Sequence, residues 1–356
     1  ASFALRCDAW CFAGGPCGRC RTQPQQPLKT LLDQLRPALL DPQAESLAAE
    51  VQWWTLPGLG VDDPFPVAVL GQGAPLLLLH GFDSSFLEYR RLAPLLADRF
   101  QLFIPDLFGF GFSPRPRGLT YGPEAVLRHL DALLERLPTD APLSLIGASM
   151  GGSVAVELAR RHPERVASLL LLAPAGLTGR PMTVPPLLDR FGAWFLGRPG
   201  VRRGLCRQAF ADPDADVGAP EEQIASLHLQ CPGWAEALAA FARSGGFAGC
   251  GDPLPSQSLH VIWGDNDRCH PRSRAVIGRA GDPHIRRNHR CGRRPPRPPP
   301  SRGIAGATRR FALPEHPHPH RDQRKPGDTA PAAHQDAPGT RHQNDPTGAE
   351  QSSDAP

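Results

Sequence analysis

A chain of 356 residues, 40% of them apolar, is long enough to bury the core of one large α/β domain or two small ones. Its formal charge of +4 is modest, and much of the arginine excess falls in the 286–310 stretch rather than along a helix face, which argues against a nucleic-acid-binding module. No run of about 18 uncharged apolar residues is present to form a membrane span.

In chain order, residues 1–27 read as a disordered leader that holds Cys7, Cys11, Cys17 and Cys20 and ends in TQPQQP. Cys17-x-x-Cys20 fits half of a zinc pattern, but the Cys7/Cys11 half is loose and the usual gap between pairs is missing, so no metal or cofactor is expected. Arg6 and Asp8 interrupt the apolar character of the first residues, which makes a poor secretory signal and points to the cytoplasm. The core is expected over 28–176. It opens with a helix, LKTLLDQLRPALL, that stops at Asp41-Pro42, and two antiparallel strands follow, VQWWTLP at 51–57 and FPVAVLG at 65–71.

From Pro75 onward, short unbroken apolar runs (PLLLLHG, FQLFIPDLFG, LSLIGAS, VASLLLLAPAG) alternate with stretches of helical length (FLEYRRLAPLLAD, GPEAVLRHLDALLERL, MGGSVAVELARRH). Strands without polar alternation are buried on both faces, so the expected fold is α/β, a mostly parallel, doubly wound sheet covered by helices. Residues 177–255 hold helical segments such as PPLLDRFGAWFLG and WAEALAAFARSGGF with no obvious strand, and read as a helical insertion over the sheet. SLHVIWGDND at 258–267 returns as a buried strand, and 256–282 ends the core. The next helix, SRAVIGRAG, starts and dies at Asp282-Pro283, and 283–356 reads as a disordered Pro/Arg/His-rich tail, with the last strand and helix missing.

Two stretches carry chemistry. LSLIGASMGGSVAVELA places Gly147-Ala148-Ser149-Met150-Gly151 between a buried strand and a helix, the context in which G-x-S-x-G makes a tight, strained turn. The serine stands clear of the sheet at a helix N-terminus, where free N–H groups favour a developing anion. Ser149 is therefore the candidate nucleophile. Acyl transfer also needs two preorganised N–H donors for the tetrahedral oxygen; the amide of Met150 supplies one, and that of Phe82, in the HGF turn after an earlier strand, the other. His80 reads as a brace for that turn rather than a proton shuttle.

These motifs resemble the α/β-hydrolase fold family, in its esterase, lipase and C–C hydrolase branch with a serine nucleophile, from about Leu76 to Asp267. DLFGFGFSPRP at 106–116 is similar to the family's D-x-x-G-x-G-x-S segment, and the 177–255 insertion stands where the family has its helical cap. The dehalogenase and epoxide-hydrolase branches have aspartate where Ser149 stands. The resemblance implies an orienting carboxylate in the W-G-x-x-D stretch, which makes Asp267 the candidate and Asp265 its alternative. It also implies a histidine base some 25 to 30 residues further on, followed by a helix.

The pattern breaks there. The chain reads HIRRNHRCGRRPPRPPP, with Arg293 near the histidine's expected place; His284 and His289 fall short, His270 is too near Asp267, and His316, His318 and His320 sit in a proline-alternating run. His289 stands as the placeholder base. A tail that abruptly loses Val and Leu for Pro, Arg, His, Gly and Ala is what a G/C-rich gene gives out of frame, and a frameshift near 280–283 is the expectation; a genuine disordered extension is its rival. The implied function is hydrolysis of a small apolar ester or related acyl bond through an acyl-enzyme, impaired if the base is lost. The alternatives are a catalytically dead ligand-binding module and a cofactor-free perhydrolase or haloperoxidase. Trp194, Phe195, Leu205, Phe210, Trp234, Phe241 and Phe247 are expected either to line an acyl pocket or to form the insertion's own core.

Overall fold

The computed structural model describes residues 27–185 and 187–264, together with the backbone of 285–288. Helix α1 (Leu28–Leu35) runs into a 3-10 turn and then α2 (Pro42–Ala49), where Asp41 accepts the Gln43 N–H at 3.0 Å and Pro42 opens the first turn. Strands β1 (Val51–Trp54) and β2 (Phe65–Leu70) pair antiparallel, Val51 opposite Ala68. Then come β3 (Ala74–Leu79), a 3-10 turn at Phe86–Tyr89, α3 (Ala93–Leu96), β4 (Phe100–Pro105), α4 (Pro123–Arg136), β5 (Leu143–Ala148), α5 (Met150–Arg161) and β6 (Val166–Leu172). The FLEYRRLAPLLAD stretch thus forms two short pieces, not one helix. Pro94 has no N–H to continue a helical ladder and tolerates only a first turn, so a new helix has to begin beside it.

Between β6 and β7 the chain makes five helices, α6 (Leu188–Leu196), α7 (Pro199–Gln208), α8 (Pro213–Asp216), α9 (Ala219–Ser226) and α10 (Trp234–Arg243), with a 3-10 turn before the last. Strands β7 (Ser258–Ile262) and β8 (Ile285–Asn288) complete the sheet, whose order is β1-β2-β4-β3-β5-β6-β7-β8. Every pair from β4·β3 onward is parallel.

One expectation is corrected here: a last strand exists. Residues Ile285–Asn288, which the sequence assigns to the tail, pair parallel with β7, Leu259 opposite Ile285. Strand pairing is made by backbone N–H and C=O groups, so an edge strand needs no run of Val or Leu to announce it. The 1–26 leader and residues 289–356 lie outside the described residues.

The sheet is buried on both faces, as its unbroken apolar runs require. Leu77, Leu79, Leu145, Leu169 and Leu171 join one core with α4 and α5; Leu76, Leu78, Ile146 and Leu170 join the other with α1 and α2. Successive residues of a strand point to opposite faces, so each leucine run feeds both cores at once. The parallel strands then end along one edge, and the candidate site is built there.

Candidate active site

Ser149 joins β5 to α5 in a conformation few L-residues adopt, φ 51° and ψ −118°. The turn is held by the backbone: the Ser149 N–H donates to Leu172 O at 2.9 Å, and its carbonyl accepts from Gly152 and Ala175 N–H at 3.0 and 2.9 Å. Packing explains the glycines on either side. A Cβ at Gly151 would overlap the Leu79 carbonyl, and one at Gly147 the Gly151 carbonyl. Strand β3 therefore passes against the start of α5 at a distance that only a hydrogen side chain permits.

The turn that follows β3 approaches Ser149 from the other side. A Cβ built at Gly81 would lie 3.3 Å from that of Ser149. Gly81 is itself held, its N–H donating to Glu88 Oε2 at 2.9 Å. His80 is fully buried and bonded at both nitrogens: Nδ1 to Gly81 O at 2.8 Å, and Nε2 to the Leu107 N–H at 3.0 Å. Accepting an N–H at Nε2 fixes the neutral ring with its proton on Nδ1, and burial accordingly lowers its pKa to about 4, against the opposing effect of the Gly81 bond. His80 is thus a brace between two loops. Asp106 performs the same task for the next loop, accepting the Phe86 N–H at 2.6 Å and the Phe112 N–H at 2.5 Å; burial raises its pKa to about 7 in spite of those bonds.

Phe82 and Met150 line one cavity of about 290 Å³, together with Met182, Val184, Phe241 and Phe247. Its wall is an aromatic cluster: Phe82 lies 5.7 Å from Phe110 and 5.9 Å from Phe241, and Phe241 lies 5.0 Å from Phe110. The Met150 amide opens α5 and has no acceptor within that helix. The arrangement gathers a strained hydroxyl, a helix N-terminus and an apolar cavity. Those are the elements needed to take up the carbonyl of an apolar acyl compound and the negative charge that develops on its oxygen.

Sequence reasoning missed the anchor of this turn. Asp83, at φ 49°, accepts from Trp234 Nε1 at 2.8 Å, His228 Nε2 at 3.0 Å and the Arg202 guanidinium, all three in the helical insertion. Burial alone would raise its carboxyl, but bonds and charges from His228, Arg202 and Trp234 outweigh that and hold it below the ordinary carboxylate value. Nothing in the HGFDS stretch marks it, because the partners lie 119 to 151 residues away.

Of the remaining predicted residues, Asp267 and His289 lie outside the described residues, as do Asp265, His270, His284 and the four N-terminal cysteines. Trp263 and Gly264, the start of W-G-x-x-D, do follow β7 directly, and Ala173 N–H donates to Ile262 O at 2.8 Å beside the Ser149 turn. Among the aromatic residues proposed for an acyl pocket, Phe241 and Phe247 line the cavity, while Trp234 is buried against Asp83. Trp194, Phe195 and Leu205 are exposed and line nothing near Ser149. Among the described residues no group of three or more His, Cys, Asp or Glu stands together to hold a metal.

The sequence matches the alpha/beta hydrolase fold family over residues 74–241. With the strand order and the Ser149 turn, this decides the fold. The chain has the α/β-hydrolase fold. It is 29% identical over 177 residues to the 2-hydroxy-6-oxo-2,4-heptadienoate hydrolase of Pseudomonas putida, a match covering 48% of this chain and 61% of that one. It therefore spans about three fifths of that relative. Among solved structures it is similar to an esterase from Thermogutta terrifontis, with a TM-score of 0.53 at 25% identity over 67% of this chain and 88% of that one. A meta-cleavage product hydrolase from Pseudomonas fluorescens shares the fold with a TM-score of 0.55 at 22% identity, over 67% of this chain and 89% of that one.

Proposed function

We propose that the protein is a serine hydrolase that cleaves a small apolar ester, or a related acyl bond, through an acyl-enzyme. The observation that carries this reading is the strained Ser149 turn beside a cavity lined by Phe82 and Met150. Ser149 Oγ attacks the carbonyl carbon and its proton passes to the base. The carbonyl oxygen gains the negative charge and is held by the Phe82 and Met150 amides. As the tetrahedral intermediate collapses, the C–O bond to the leaving alcohol breaks and the base returns the proton to that oxygen. Water then repeats the sequence on the acyl-serine, releasing a carboxylic acid and restoring Ser149.

His289, the residue directly after β8, is assigned the base, and Asp267, beyond β7, orients it. Support comes from topology: β5, β7 and β8 are parallel, so the backbone leaves all three at one edge of the sheet. The helices between β6 and β7 act as the cap over the cavity. The hydrolase and esterase names of the relatives agree with this chemistry.

The test is a fluorophosphonate probe on the full chain, read by mass spectrometry. An adduct on Ser149, absent from Ser149→Ala and formed at least a hundredfold more slowly by His289→Ala, is the expected result. An adduct that His289→Ala leaves unchanged moves the base elsewhere. No adduct at all overturns the reading and leaves a chain without a working base, held to the residual ~10³ to 10⁴-fold enhancement of such sites.

A further inference from the structure

Helix α6 is turned inside out. Its apolar residues recur at helical spacing, yet Leu187 is 76% exposed, Leu188 59%, Phe191 59%, Trp194 55% and Phe195 48%, whereas the inward positions are Asp189 and Ala193. A helix packed for water does the opposite. The orientation is fixed rather than loose, because buried Asp189 is bonded to the Arg243 guanidinium of α10 and accepts the Arg190 N–H at 2.7 Å. Rolling the apolar stripe inward would break that ion pair. The exposed rings form a continuous surface, Phe191 lying 5.5 Å from Trp194 and stacked at 6.4 Å on Phe195.

The charges around the stripe select its occupant. Between 180 and 205 the exposed charged residues are Arg180, Arg190, Arg198 and Arg203, the one acid, Asp189, is buried, and the acids that face them from neighbouring helices are Glu236, in the cavity beside Arg190 and Arg198, and Glu222, paired with Arg203. Arg198 lies 5.1 Å from the Trp194 ring, one cation at the edge of the apolar patch. A second copy docked about a two-fold axis would set arginine against arginine. The chain's own 289–356 stretch is basic as far as Lys325, and Ile304, Phe311 and Leu313 are its only large apolar residues. Aromatic and aliphatic side chains on one face, flanked by Arg190 and Arg198 in arginine excess over the single neighbouring Glu236, match the boundary of a negatively charged bilayer, where the rings enter the acyl region and the guanidinium groups meet the headgroups. At nine residues α6 is too short to span a membrane and lies along its surface.

We infer that the outer face of α6 docks this protein on an anionic lipid surface. Met182, 82% exposed, also lines the cavity beside Met150, so the docked face leads toward the candidate site. Delivery of substrate along that path rests on the hydrolase reading; the docking itself does not.

The experiment is flotation of the full chain with vesicles of equal phosphatidylglycerol and phosphatidylcholine. The protein is expected to float with these and to stay at the bottom with phosphatidylcholine alone or in high salt. Phe191→Ser/Phe195→Ser should lower the bound fraction at least tenfold, and Arg190→Glu and Arg198→Glu roughly fivefold each. Both sets should keep the parent's unfolding midpoint, since these side chains are exposed. A parent that does not float, or variants that float as well as it does, overturns the inference. So does a parent that sediments as a dimer and becomes monomeric in the Phe191/Phe195 variant, because a second copy is then the occupant. Fluorophosphonate labelling, read separately, reports the hydrolase chemistry alone.

Discussion

The Ser149 turn and helix α6 are both built on patterns plain in the sequence, yet they meet their surroundings in opposite ways. At the turn, main-chain groups close on main-chain groups: Ser149 bonds Leu172, Gly152 and Ala175, and Gly151 abuts Leu79. In the insertion, side-chain pairs span long stretches of chain, three donors to Asp83, Arg90 and Arg91 to Glu221, and Arg243 to Asp189, while Trp234, Leu238, Phe241, Ile224 and Leu227 join the two cores and an apolar stripe on α6 faces outward. The first arrangement is set by backbone contact. The second is set by side chains and leaves one face of α6 uncovered.

The largest effect should come from breaking the close approach. Gly151→Ala places a methyl group on the Leu79 carbonyl, where neither backbone has room to give, and should cost more than about 5 kcal/mol in denaturant unfolding or abolish folding. A well-folded Gly151→Ala protein would show that the contact is looser than it stands.

Next comes the polar pin. Asp83→Ala leaves Arg202 buried without its carboxylate and should cost about 3–5 kcal/mol. The insertion should also become susceptible to proteolysis at concentrations that spare the parent. Loss of stability with no change in cleavage between α6 and α10 would mean that Asp83 holds its own turn and not the insertion.

The smallest effect separates core from insertion by pH. His80 and His129 are neutral when folded, with burial lowering their pKa values to about 4 and about 3; burial lowers that of His228 as well. The unfolded chain therefore binds more protons than the folded one once the pH drops below about 6.5. Stability is full above that value and is lost as pH falls toward 4. Asp106 has the opposite sign. Its folded value of about 7 means that it binds a proton first in the folded state, which offsets one histidine. The net is one to two protons, a slope of roughly 1.4 to 2.7 kcal/mol per pH unit between about 6.5 and 4. His129 has no hydrogen-bond partner for either ring nitrogen among the described residues, so His129→Leu should flatten that slope by about one proton while holding or raising stability at pH 7. An unchanged slope would leave the titration to His80 and His228.

The legible part of the molecule was the part governed by neighbours in sequence. Unbroken runs such as Leu76–Leu79 and Leu169–Leu172 announced buried parallel strands, and G-A-S-M-G between a strand and a helix announced a strained serine turn. His80 was readable as a brace from its place in the HGF turn, where it bonds Gly81, although its second partner, the Leu107 N–H, lies 27 residues on. What escaped had partners far along the chain, or none in the side-chain record. The β8 strand forms through backbone bonds that composition does not mark, and Asp83 finds its donors more than a hundred residues away. Trp194 and Phe195 look identical in sequence whether they face a pocket or solvent.

The sequence by itself determined strands β1 to β7, the long helices α4 and α5 and the position of Ser149, because periodicity and turn chemistry act over a few residues. Only the tertiary structure decided which way α6 faces, what holds Asp83 and which aromatics meet the cavity. Those choices depend on ion pairs and packing between segments that local patterning does not connect.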